Sequence, residues 1–359
     1  MNESGPLYDQ DLKSILLLMP NWIGDVVLTL PALQSLRRAY PKTHITAIVK
    51  SPSDELLLGH PAFNTIIALP SGSKSGFWKR IKFALSLKKY QFDLGVVLPN
   101  SFESAFLLSL TGAKHRLGYN TDGRAIFLTY PITTTTYLKK SQYRVDYFFK
   151  IFSPLKLDFP DTKLSSVFRQ EGDISIRQTL LDIKIDENEK FITVHPGTSK
   201  IERSWHAERF GILCQKIYKE DKKKIVLLGT QSEKELLNKI KNYCPSEEVK
   251  IAPVMNLKVL AGLIKKSQLF IGNDSGVMHL AAMVGTPVVG IFGPGHPNTT
   301  GPFMAPAKYE ILTQNYSCSP CRQRFFKECK PSPNNKPYCL EDITINNVYE
   351  AIHRLLKRV

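Results

Sequence analysis

The segment that most constrains the fold of this chain is residues 272–282, which read GNDSGVMHLAA. It follows a short apolar run that predicts a strand, and its second half has a helical pattern. A glycine-rich turn between strand and helix presents backbone N–H groups at the positive end of a helix dipole, where anions bind. Residues 20–25 form a second turn of this kind near the other end of the chain. Two such turns predict two nucleotide-type domains that face each other across a cleft.

Composition favours an anionic partner. The chain has 359 residues, enough for two domains, and its 48 Lys and Arg against 32 Asp and Glu give a net charge of +16. The basic residues are spread in small clusters without a long basic tail, which weakens the case for nucleic acid. A phosphorylated substrate is the remaining expectation.

The sequence contains no recognisable targeting or spanning segment. Acidic residues occur within the first fifteen positions, which argues against a signal peptide. No stretch approaches the ~20 apolar residues that cross a bilayer. We expect a cytoplasmic protein, with peripheral contact to a membrane surface left open.

Alternation of apolar runs with helical patterns predicts an α/β fold with open parallel sheets. A mixed segment over 153–185 predicts the link between domains, which we place at 1–170 and 171–343, and 344–359 predicts an amphipathic helix that packs back on the first domain. Pro31 is expected to kink the first helix or to start a second one. The predicted strands are 15–19, 45–49, 65–69, 94–98, 115–118, 191–195, 224–228, 250–252, 269–271 and 287–291.

Five motifs in order resemble one enzyme family. They are residues 21–31, 97–102, 116–119, 195–198 and 272–282, the last followed by Gly293-Pro294. Together they resemble the ADP-heptose lipopolysaccharide heptosyltransferases of glycosyltransferase family 9, and the segment 318–321 is most similar to the type II members. The resemblance implies a GT-B fold of two Rossmann-like domains. It also implies inverting transfer of L-glycero-D-manno-heptose from ADP-heptose to the first heptose of the lipopolysaccharide inner core, at the cytoplasmic face of the inner membrane.

Asp25 is the candidate catalytic base. Glycosyl transfer needs a group that takes the proton from the acceptor hydroxyl, and the resemblance assigns this role to Asp25. From the spacing alone, the favoured role of Asp25 is to cap the helix that starts at Val26, and it is the resemblance that favours the base.

The resemblance assigns the donor nucleotide and diphosphate to the start of the helix after the glycine-rich turn. Two of these residues have open alternatives, since His279 suits a packed core position and Asp274 suits a helix cap or contacts to sugar hydroxyls. The donor-binding candidates in this segment are Asp274, Ser275, Gly276, Val277 and His279.

The loop 195–205 supplies further donor candidates. Thr198 and Ser199 carry hydroxyls that donate to phosphate, and a cation nearby would stabilise the leaving diphosphate. Members of the family carry Lys at the position of Arg203, so the sequence leaves Arg203 and Lys200 as alternative clamps, beside the possibility of a solvated basic loop. Glu233 is the candidate for the ribose hydroxyls, with stabilisation of a helix start as the alternative.

Acceptor recognition is assigned to polar side chains at strand ends of the first domain. The resemblance implies a phosphorylated, carboxylate-bearing glycolipid, the Kdo-lipid A inner core, and the charge of the chain suits that polyanion. For each arginine the alternative is a surface salt bridge. The candidates are Asn100, Ser101, Arg116 and Arg124.

Four cysteines, Cys318, Cys321, Cys329 and Cys339, have the spacing C-x2-C-x7-C-x9-C. Only the first interval is typical of a zinc site, so structural zinc and reduced structural thiols both stay open. The chain lacks the dinucleotide fingerprint and a Walker lysine loop, and we expect no required cofactor or divalent metal.

Rival functions remain at this stage. Another GT-B transferase with a different nucleotide sugar, or a sugar-nucleotide epimerase, would share the architecture. A non-enzymatic basic protein that binds anions is the rival outside enzymology, and it predicts strongly salt-dependent binding.

Overall fold

The computed structural model describes residues 6–70, 76–135, 141–159, 173–314, 316–318, 321 and 323–359. The chain divides into two compact units, Met1–Thr162 and Lys163–Val359. The predicted boundary at residue 170 lies outside the described residues, so our domain limits stay a prediction. Within the described part, no helix is long and apolar enough to cross a membrane.

The first unit contains a sheet of six parallel strands in the order β3-β2-β1-β4-β5-β6. The chain builds outward from β1 to β3 on one side and from β4 to β6 on the other. Such sheets bind ligands outside the carboxyl ends of the strands where the order reverses, here between β1 and β4. The strands are β1 Ser14–Leu18, β2 His44–Val49, β3 Thr65–Ala68, β4 Leu94–Val97, β5 His115–Tyr119 and β6 Tyr130–Ile132.

Helices of the first unit follow its strands. The helix α1 runs from Ile23 to Ala39 with Pro31 inside it, so the prediction that Pro31 starts a second helix is wrong. Burial explains this, because the residues from Val26 to Leu33 are all buried and tertiary packing outweighs the lost backbone hydrogen bond. The other helices are α2 Ser53–Leu57, α3 Gly76–Ser86, α4 Phe102–Leu110 and α5 Arg144–Ile151.

The second unit repeats this topology. Its six parallel strands have the order β9-β8-β7-β10-β11-β12, so β7 and β10 flank the point where the order reverses. Its central strands are buried along their whole length, as expected for a sheet covered on both faces. The strands are β7 Phe191–His195, β8 Lys224–Leu227, β9 Val249–Ile251, β10 Leu269–Asn273, β11 Val288–Phe292 and β12 Tyr309–Thr313.

The last helix of the chain packs into the core of the second unit. Its stripe of Val348, Ile352 and Leu355 lies in the same cluster as Phe210 and Trp205. The Trp205 indole donates to the carbonyl of Ile343 just before this helix, at 2.9 Å. Packing of the helix on the first unit stays a prediction. The helices here are α6 Asp173–Asp182, α7 Ala207–Asp221, α8 Lys234–Tyr243, α9 Leu257–Lys266, α10 Gly276–Met283, α11 Pro297–Thr300, α12 Tyr338–Glu341 and α13 Ile345–Leu356.

Both predicted parallel sheets are present, which confirms the α/β class. Two strands that the sequence did not predict are β6 and β12, one at an edge of each sheet. β6 has only three residues with a proline in the middle, and β12 is half-buried and carries Glu310. Neither has the buried apolar run by which central strands are found.

Candidate active site

Asp25 lies in the first turn of α1, the helix that follows β1, at the edge where ligands bind in such sheets. The residue that caps α1 is Trp22, so the alternative role of Asp25 as the helix cap is wrong. Asp25 belongs to the first helical turn and is half-buried. Burial raises the pKa of its carboxyl group, and the charge of Arg144 opposes that rise.

Arg144 is a residue that the sequence analysis missed. It begins α5, a helix that packs against α1, and its guanidinium group lies 5.1 Å from the ring centroid of Tyr147. It stands more than a hundred residues from Asp25 along the chain, and no local pattern signals the pairing.

A cavity of about 300 Å³ lies at the carboxyl ends of β1 to β4, and we call it the switch-point cavity. Its cationic groups are Lys50, which is exposed, and Arg80 on α3. Arg80 Nη2 lies 2.8 Å from a carboxylate oxygen of Glu103, while its buried Nε has no hydrogen-bond partner within the described part of the chain. Two cations against one carboxylate leave the lining positive. The lining residues are Leu18, Met19, Asn21, Ile48, Lys50, Leu69, Pro70, Arg80, Pro99, Ser101, Glu103, Ser104 and Leu107.

Of the predicted acceptor residues, only Ser101 lines this cavity. It caps α4, where its hydroxyl oxygen accepts from the Ser104 N–H. Asn100 donates to the Tyr147 hydroxyl at 2.6 Å and accepts from Arg124 at 3.2 Å.

The two predicted acceptor arginines bind the protein's own backbone. Arg124 is fully buried and donates to the carbonyls of Pro99 and Tyr119. Arg116 donates to the carbonyls of Phe127 at 2.7 Å and Ala113 at 2.8 Å. Both side chains therefore have structural partners in place of an exposed ion pair.

On the second unit, Asn273 fastens the loop after β7 to the end of β10. Its side-chain amide donates to the Pro196 carbonyl at 2.6 Å and accepts from the Trp205 N–H at 3.0 Å. Ser204 adds a hydrogen bond to the same Pro196 carbonyl at 3.1 Å. The loop is thus held beside the glycine-rich turn by a fully buried side chain that the sequence analysis did not assign.

Within this arrangement Arg203 and Asp274 form an ion pair. Nη2 of Arg203 donates both to the Asp274 carboxylate and, at 3.1 Å, to its backbone carbonyl. Ser275, not Asp274, caps α10, so the prediction of Asp274 as a cap is wrong. Burial raises the pKa of Asp274, and Arg203 partly offsets the rise.

Several buried polar atoms at this edge have no hydrogen-bond partner among the residues that the structure describes. Native proteins leave few such atoms, so a group of them at one sheet edge indicates a place for a polar ligand. They lie at or after the carboxyl ends of β7, β10 and β11, which are neighbours in the sheet. The atoms are Nδ1 of His195, Nε of Arg203, Oγ of Ser275, Nδ1 of His279 and Nδ1 of His296.

The two innermost histidines are neutral at physiological pH. Burial, with a smaller contribution from Arg203, lowers the pKa of His279 to about 4. Burial also lowers the pKa of His195, against the raising effect of Glu233. A neutral imidazole offers one donor and one acceptor, so these side chains recognise a ligand through hydrogen bonds instead of charge.

The other predicted donor residues spread over the same edge. The Thr198 hydroxyl donates to the Lys200 carbonyl at 2.5 Å, and Ser199 is exposed. The Lys200 ammonium lies 5.8 Å from the ring centroid of Phe325, whereas Arg203 stands at the start of α10. Gly276 and Val277, both half-buried, form the first turn of that helix.

Glu233 closes a capping box at the turn after β8. Its carboxylate accepts from the N–H of Thr230 at 2.8 Å and from its hydroxyl at 2.9 Å, and lies 3.9 Å from His195 Nε2. A Cβ on Gly197 would lie 1.7 Å from Oε1 of Glu233. The carboxylate therefore lies against the backbone of the donor loop, and a larger residue at position 197 would displace it.

The four cysteines gather around one cavity of about 260 Å³, and all are free thiols. Burial and the neighbouring thiols raise the pKa of Cys339 to about 12. Among the residues that the structure describes, no group of three or more His, Cys, Asp or Glu is arranged to hold a metal ion. Zinc binding stays a prediction.

Comparison with known proteins identifies the family. The model of glycosyltransferase family 9 (heptosyltransferase) matches residues 80–330, more than half of the chain. The chain belongs to this family. It is therefore a glycosyltransferase, and enzymatic function is confirmed over a purely binding role.

Relatives of this family 9 chain match over nearly its whole length. Lipopolysaccharide heptosyltransferase 2 of Salmonella typhimurium is 25% identical, covering 95% of this chain and 98% of its own. Lipopolysaccharide core heptosyltransferase OpsX of Haemophilus influenzae is 26% identical, covering 83% of this chain and 84% of its own.

Solved structures agree in fold. Escherichia coli ADP-heptose lipopolysaccharide heptosyltransferase II has a TM-score of 0.77 at 23% identity, covering 96% of this chain and 99% of its own. A family 9 glycosyltransferase from Veillonella parvula has a TM-score of 0.83 at 21% identity, covering 97% and 98%. The predicted GT-B class is confirmed. The family match includes the donor-side edge and Arg80, whereas Asp25 and Lys50 precede it.

Proposed function

We propose that this glycosyltransferase moves L-glycero-D-manno-heptose from ADP-heptose to the first heptose of the lipopolysaccharide inner core, as the type II members of its family do. The observation that carries the proposal is the family match over residues 80–330. The full-length relative from Salmonella and the unpartnered polar atoms at the donor-side edge support it.

The donor binds at the start of α10. As the sugar leaves, negative charge grows on the diphosphate, and backbone N–H groups at Ser275 and Gly276 meet that charge at the positive end of the helix dipole. Arg203 supplies the cation, because it stands at this helix start while the Lys200 ammonium lies over Phe325. Thr198 and Ser199 contribute hydroxyls, and no metal or other cofactor is required.

Neutral His279 and His195 suit a donor site of this kind. Each retains an unpartnered Nδ1 in a buried position, which a hydroxyl or phosphate oxygen of the donor can satisfy. Asp274 holds Arg203 in place, and Val277 packs at the first turn of α10. Glu233 takes the ribose hydroxyls with the carboxylate oxygen that faces the donor loop.

Asp25 acts as the base in a single inverting displacement. The acceptor hydroxyl gives its proton to the Asp25 carboxylate while its oxygen forms a bond to the anomeric carbon of heptose. The bond from that carbon to the β-phosphate oxygen breaks on the opposite face, and ADP leaves with the electron pair. A pKa raised by burial makes Asp25 a better base than an exposed carboxylate.

The acceptor binds at the switch-point cavity of the first unit. Lys50 and Arg80 pair with the phosphate or carboxylate groups of the Kdo-lipid A inner core, and Ser101 offers a hydroxyl beside them. Asn100, Arg116 and Arg124 shape the neighbouring backbone. The reaction takes place at the cytoplasmic face of the inner membrane, and nucleic acid has no part in it.

The experiment that tests the function measures ADP release from ADP-heptose with a mono-heptosylated, Kdo-bearing lipid A acceptor. We expect acceptor-dependent release by the wild type and a loss of at least a hundredfold in kcat for Asp25→Asn, the lower end of what a general base contributes. ADP affinity, measured by calorimetry, stays unchanged in this variant.

Each other outcome has a distinct meaning. Release that survives in Asp25→Asn would keep the reaction and remove Asp25 as its base. A wild type that binds ADP but releases none with this acceptor would refute the acceptor. A preference for a UDP-sugar in a panel of nucleotide sugars would refute the donor.

A further inference from the structure

One face of the first unit carries large apolar side chains that are exposed to solvent. Trp78 is 68% exposed, Phe102 is 50% exposed and Ile126 is 77% exposed. They belong to α3, to α4 and to the short helical turn Arg124–Phe127. A soluble protein rarely leaves such large apolar side chains together at its surface unless they contact something.

Ring contacts join Phe77, Trp78, Phe102, Phe106 and Phe127 into one surface, which together with Ile126, the chain neighbour of Phe127, we call the aromatic face. The ring of Phe77 lies 5.9 Å from that of Trp78 and 6.4 Å from that of Phe106. Phe127 lies 5.5 Å from Phe106 and 5.1 Å from Phe102. The packing fixes the exposed rings in place, so little conformational entropy is lost when they bind a partner.

Beside the aromatic face lies a strongly basic segment. Residues 76–90 contain five cations and no acidic residue. Four of the five are exposed lysines, and the fifth, Arg80, points into the switch-point cavity. The exposed Leu85 and Tyr90 continue the apolar surface along the same segment. The exposed lysines are Lys79, Lys82, Lys88 and Lys89.

We propose that the aromatic face and the lysines of residues 76–90 dock the protein on an anionic lipid bilayer. A surface that combines Trp and Phe with Lys is the chemistry of interfacial membrane binding, in which rings enter the headgroup region and lysines meet anionic lipids. Charge complementarity favours an anionic bilayer, because none of the ion pairs among the described residues involves these four exposed lysines.

The position of this surface agrees with a membrane-held substrate. α3 supplies both Trp78 on the aromatic face and Arg80 in the switch-point cavity, so a bilayer at the face brings lipid headgroups next to the cavity. Docking itself needs neither donor nor acceptor. Its failure can therefore be told apart from a failure of the proposed reaction.

The test is cosedimentation of the full chain with vesicles of 30% phosphatidylglycerol and 70% phosphatidylcholine, against vesicles of phosphatidylcholine alone. We expect binding only to the anionic vesicles. Trp78→Ser lowers the partition coefficient roughly tenfold, whereas Trp22→Ser, at an equally exposed tryptophan (69%), changes it less than twofold.

The contribution of the lysines to vesicle binding is tested against a variant that loses the same charge elsewhere. Replacing Lys79, Lys82 and Lys89 by Gln lowers binding by up to about a hundredfold, since each lysine near an anionic surface contributes about fivefold. A second triple variant removes the same charge from the other unit at Lys222, Lys234 and Lys239, all exposed, and binds within about threefold of the wild type.

Tryptophan emission gives a readout that misfolding does not mimic. The chain has three tryptophans: Trp205 is buried, while Trp22 and Trp78 are exposed. In Trp22→Phe, anionic vesicles shift the emission to shorter wavelength and brominated lipids quench it, because Trp78 enters the bilayer. In Trp78→Phe neither change occurs.

The proposal would be overturned if the wild type did not bind anionic vesicles, or if the two triple variants lost binding equally. It would also be overturned if the emission shift remained in Trp78→Phe and disappeared in Trp22→Phe. Binding of RNA that depends on the same lysines, without vesicle binding, would overturn it as well. Self-association that Trp78→Ser abolishes, with no vesicle binding, would assign the face to a second copy of the chain instead.

Discussion

Replacing Arg203 by Met removes one partner of the buried pair with Asp274, and we predict a loss of stability that depends on pH. The Asp274 side chain is 8% exposed and that of Arg203 is 20% exposed. A buried carboxylate that loses its cationic partner typically costs 3–5 kcal/mol. Because Met keeps the length of the arginine stem, packing changes little and the charge dominates.

The carboxyl group can relieve this cost by taking up a proton. In the wild type burial already raises the pKa of Asp274 above its ordinary 3.8, and Arg203 opposes that rise. Without Arg203 the folded-state pKa rises further, while the unfolded value stays near 3.8. The charge penalty relative to the wild type is therefore absent below the wild-type folded-state pKa, where only about 1 kcal/mol for the lost hydrogen bonds remains. Above that pKa it grows by up to about 1.4 kcal/mol per pH unit, and it levels off above the folded-state pKa of the variant.

At pH 8 we expect the variant to be about 3 kcal/mol less stable, at the lower end of the range, because the pair retains some solvent contact. With a urea m-value of about 2–3 kcal/mol/M this lowers the unfolding midpoint by roughly 1–1.5 M. Emission from Trp205, the buried tryptophan, reports the second unit, since Trp22 and Trp78 are already exposed when folded.

The matched control is the double variant Arg203→Met with Asp274→Asn. It contains no buried charge, so it should recover all but about 1 kcal/mol of the loss at pH 8, the remainder being hydrogen bonds to Arg203. A single variant within about 0.5 kcal/mol of the wild type at pH 8, or a penalty that does not change between pH 5 and 8, would refute the buried ion pair.

Two further predictions concern the base and the donor loop. Arg144→Gln raises the pKa of Asp25, because it removes the positive charge that lowers this pKa. Asp25 must be ionised to accept a proton, so the acid limb of the pH profile of kcat/KM moves to higher pH, whereas the control Lys150→Gln on the same helix leaves the limb in place. An acid limb that does not move in Arg144→Gln would contradict the pairing of Arg144 with Asp25. Gly197→Ala displaces the Glu233 carboxylate from its capping box. We expect the free energy of unfolding to fall by about 1 kcal/mol and ADP binding to weaken as much as in Glu233→Gln. An alanine variant with the urea midpoint and ADP affinity of the wild type would show that the carboxylate does not lie against Gly197.

The parts of the fold that could be read from the sequence are those whose signal is local. β1, β7 and β10 are apolar runs followed by glycine-containing turns, and the strand pattern alone placed their ends within about two residues. The donor-side candidates Asp274, Ser275 and His279 were assigned by the family resemblance, whose motif is local because it follows one strand. Arg203 was singled out because the family carries Lys at its position.

Contacts between residues that are far apart along the chain could not be predicted from the sequence. Asn273 was visible in the glycine-rich turn, but nothing local showed that its amide would bind both Pro196 and Trp205. Arg144 acts on Asp25 through the packing of α5 on α1, which depends on how two distant segments meet. Lys50 and Arg80 come together only because β2 and α3 reach the same sheet edge.

The acceptor arginines show why position at a strand end does not decide a role. Where β4 and β5 end, the ladder of the sheet no longer supplies donors to the carbonyls that follow, and a buried carbonyl without a donor is costly. Arg124 meets this need, since its guanidinium group donates to the carbonyls of Pro99 and Tyr119 and to the Asn100 side chain. A five-donor fork is the side chain that can serve several acceptors at once, so its burial follows from the backbone around it. Arg80, by contrast, lines a cavity, pairs with Glu103 through Nη2 and has no hydrogen-bond partner for its Nε among the described residues. An arginine whose donors all bind the protein's own carbonyls is structural, whereas one that keeps a free donor beside a cavity can bind a ligand.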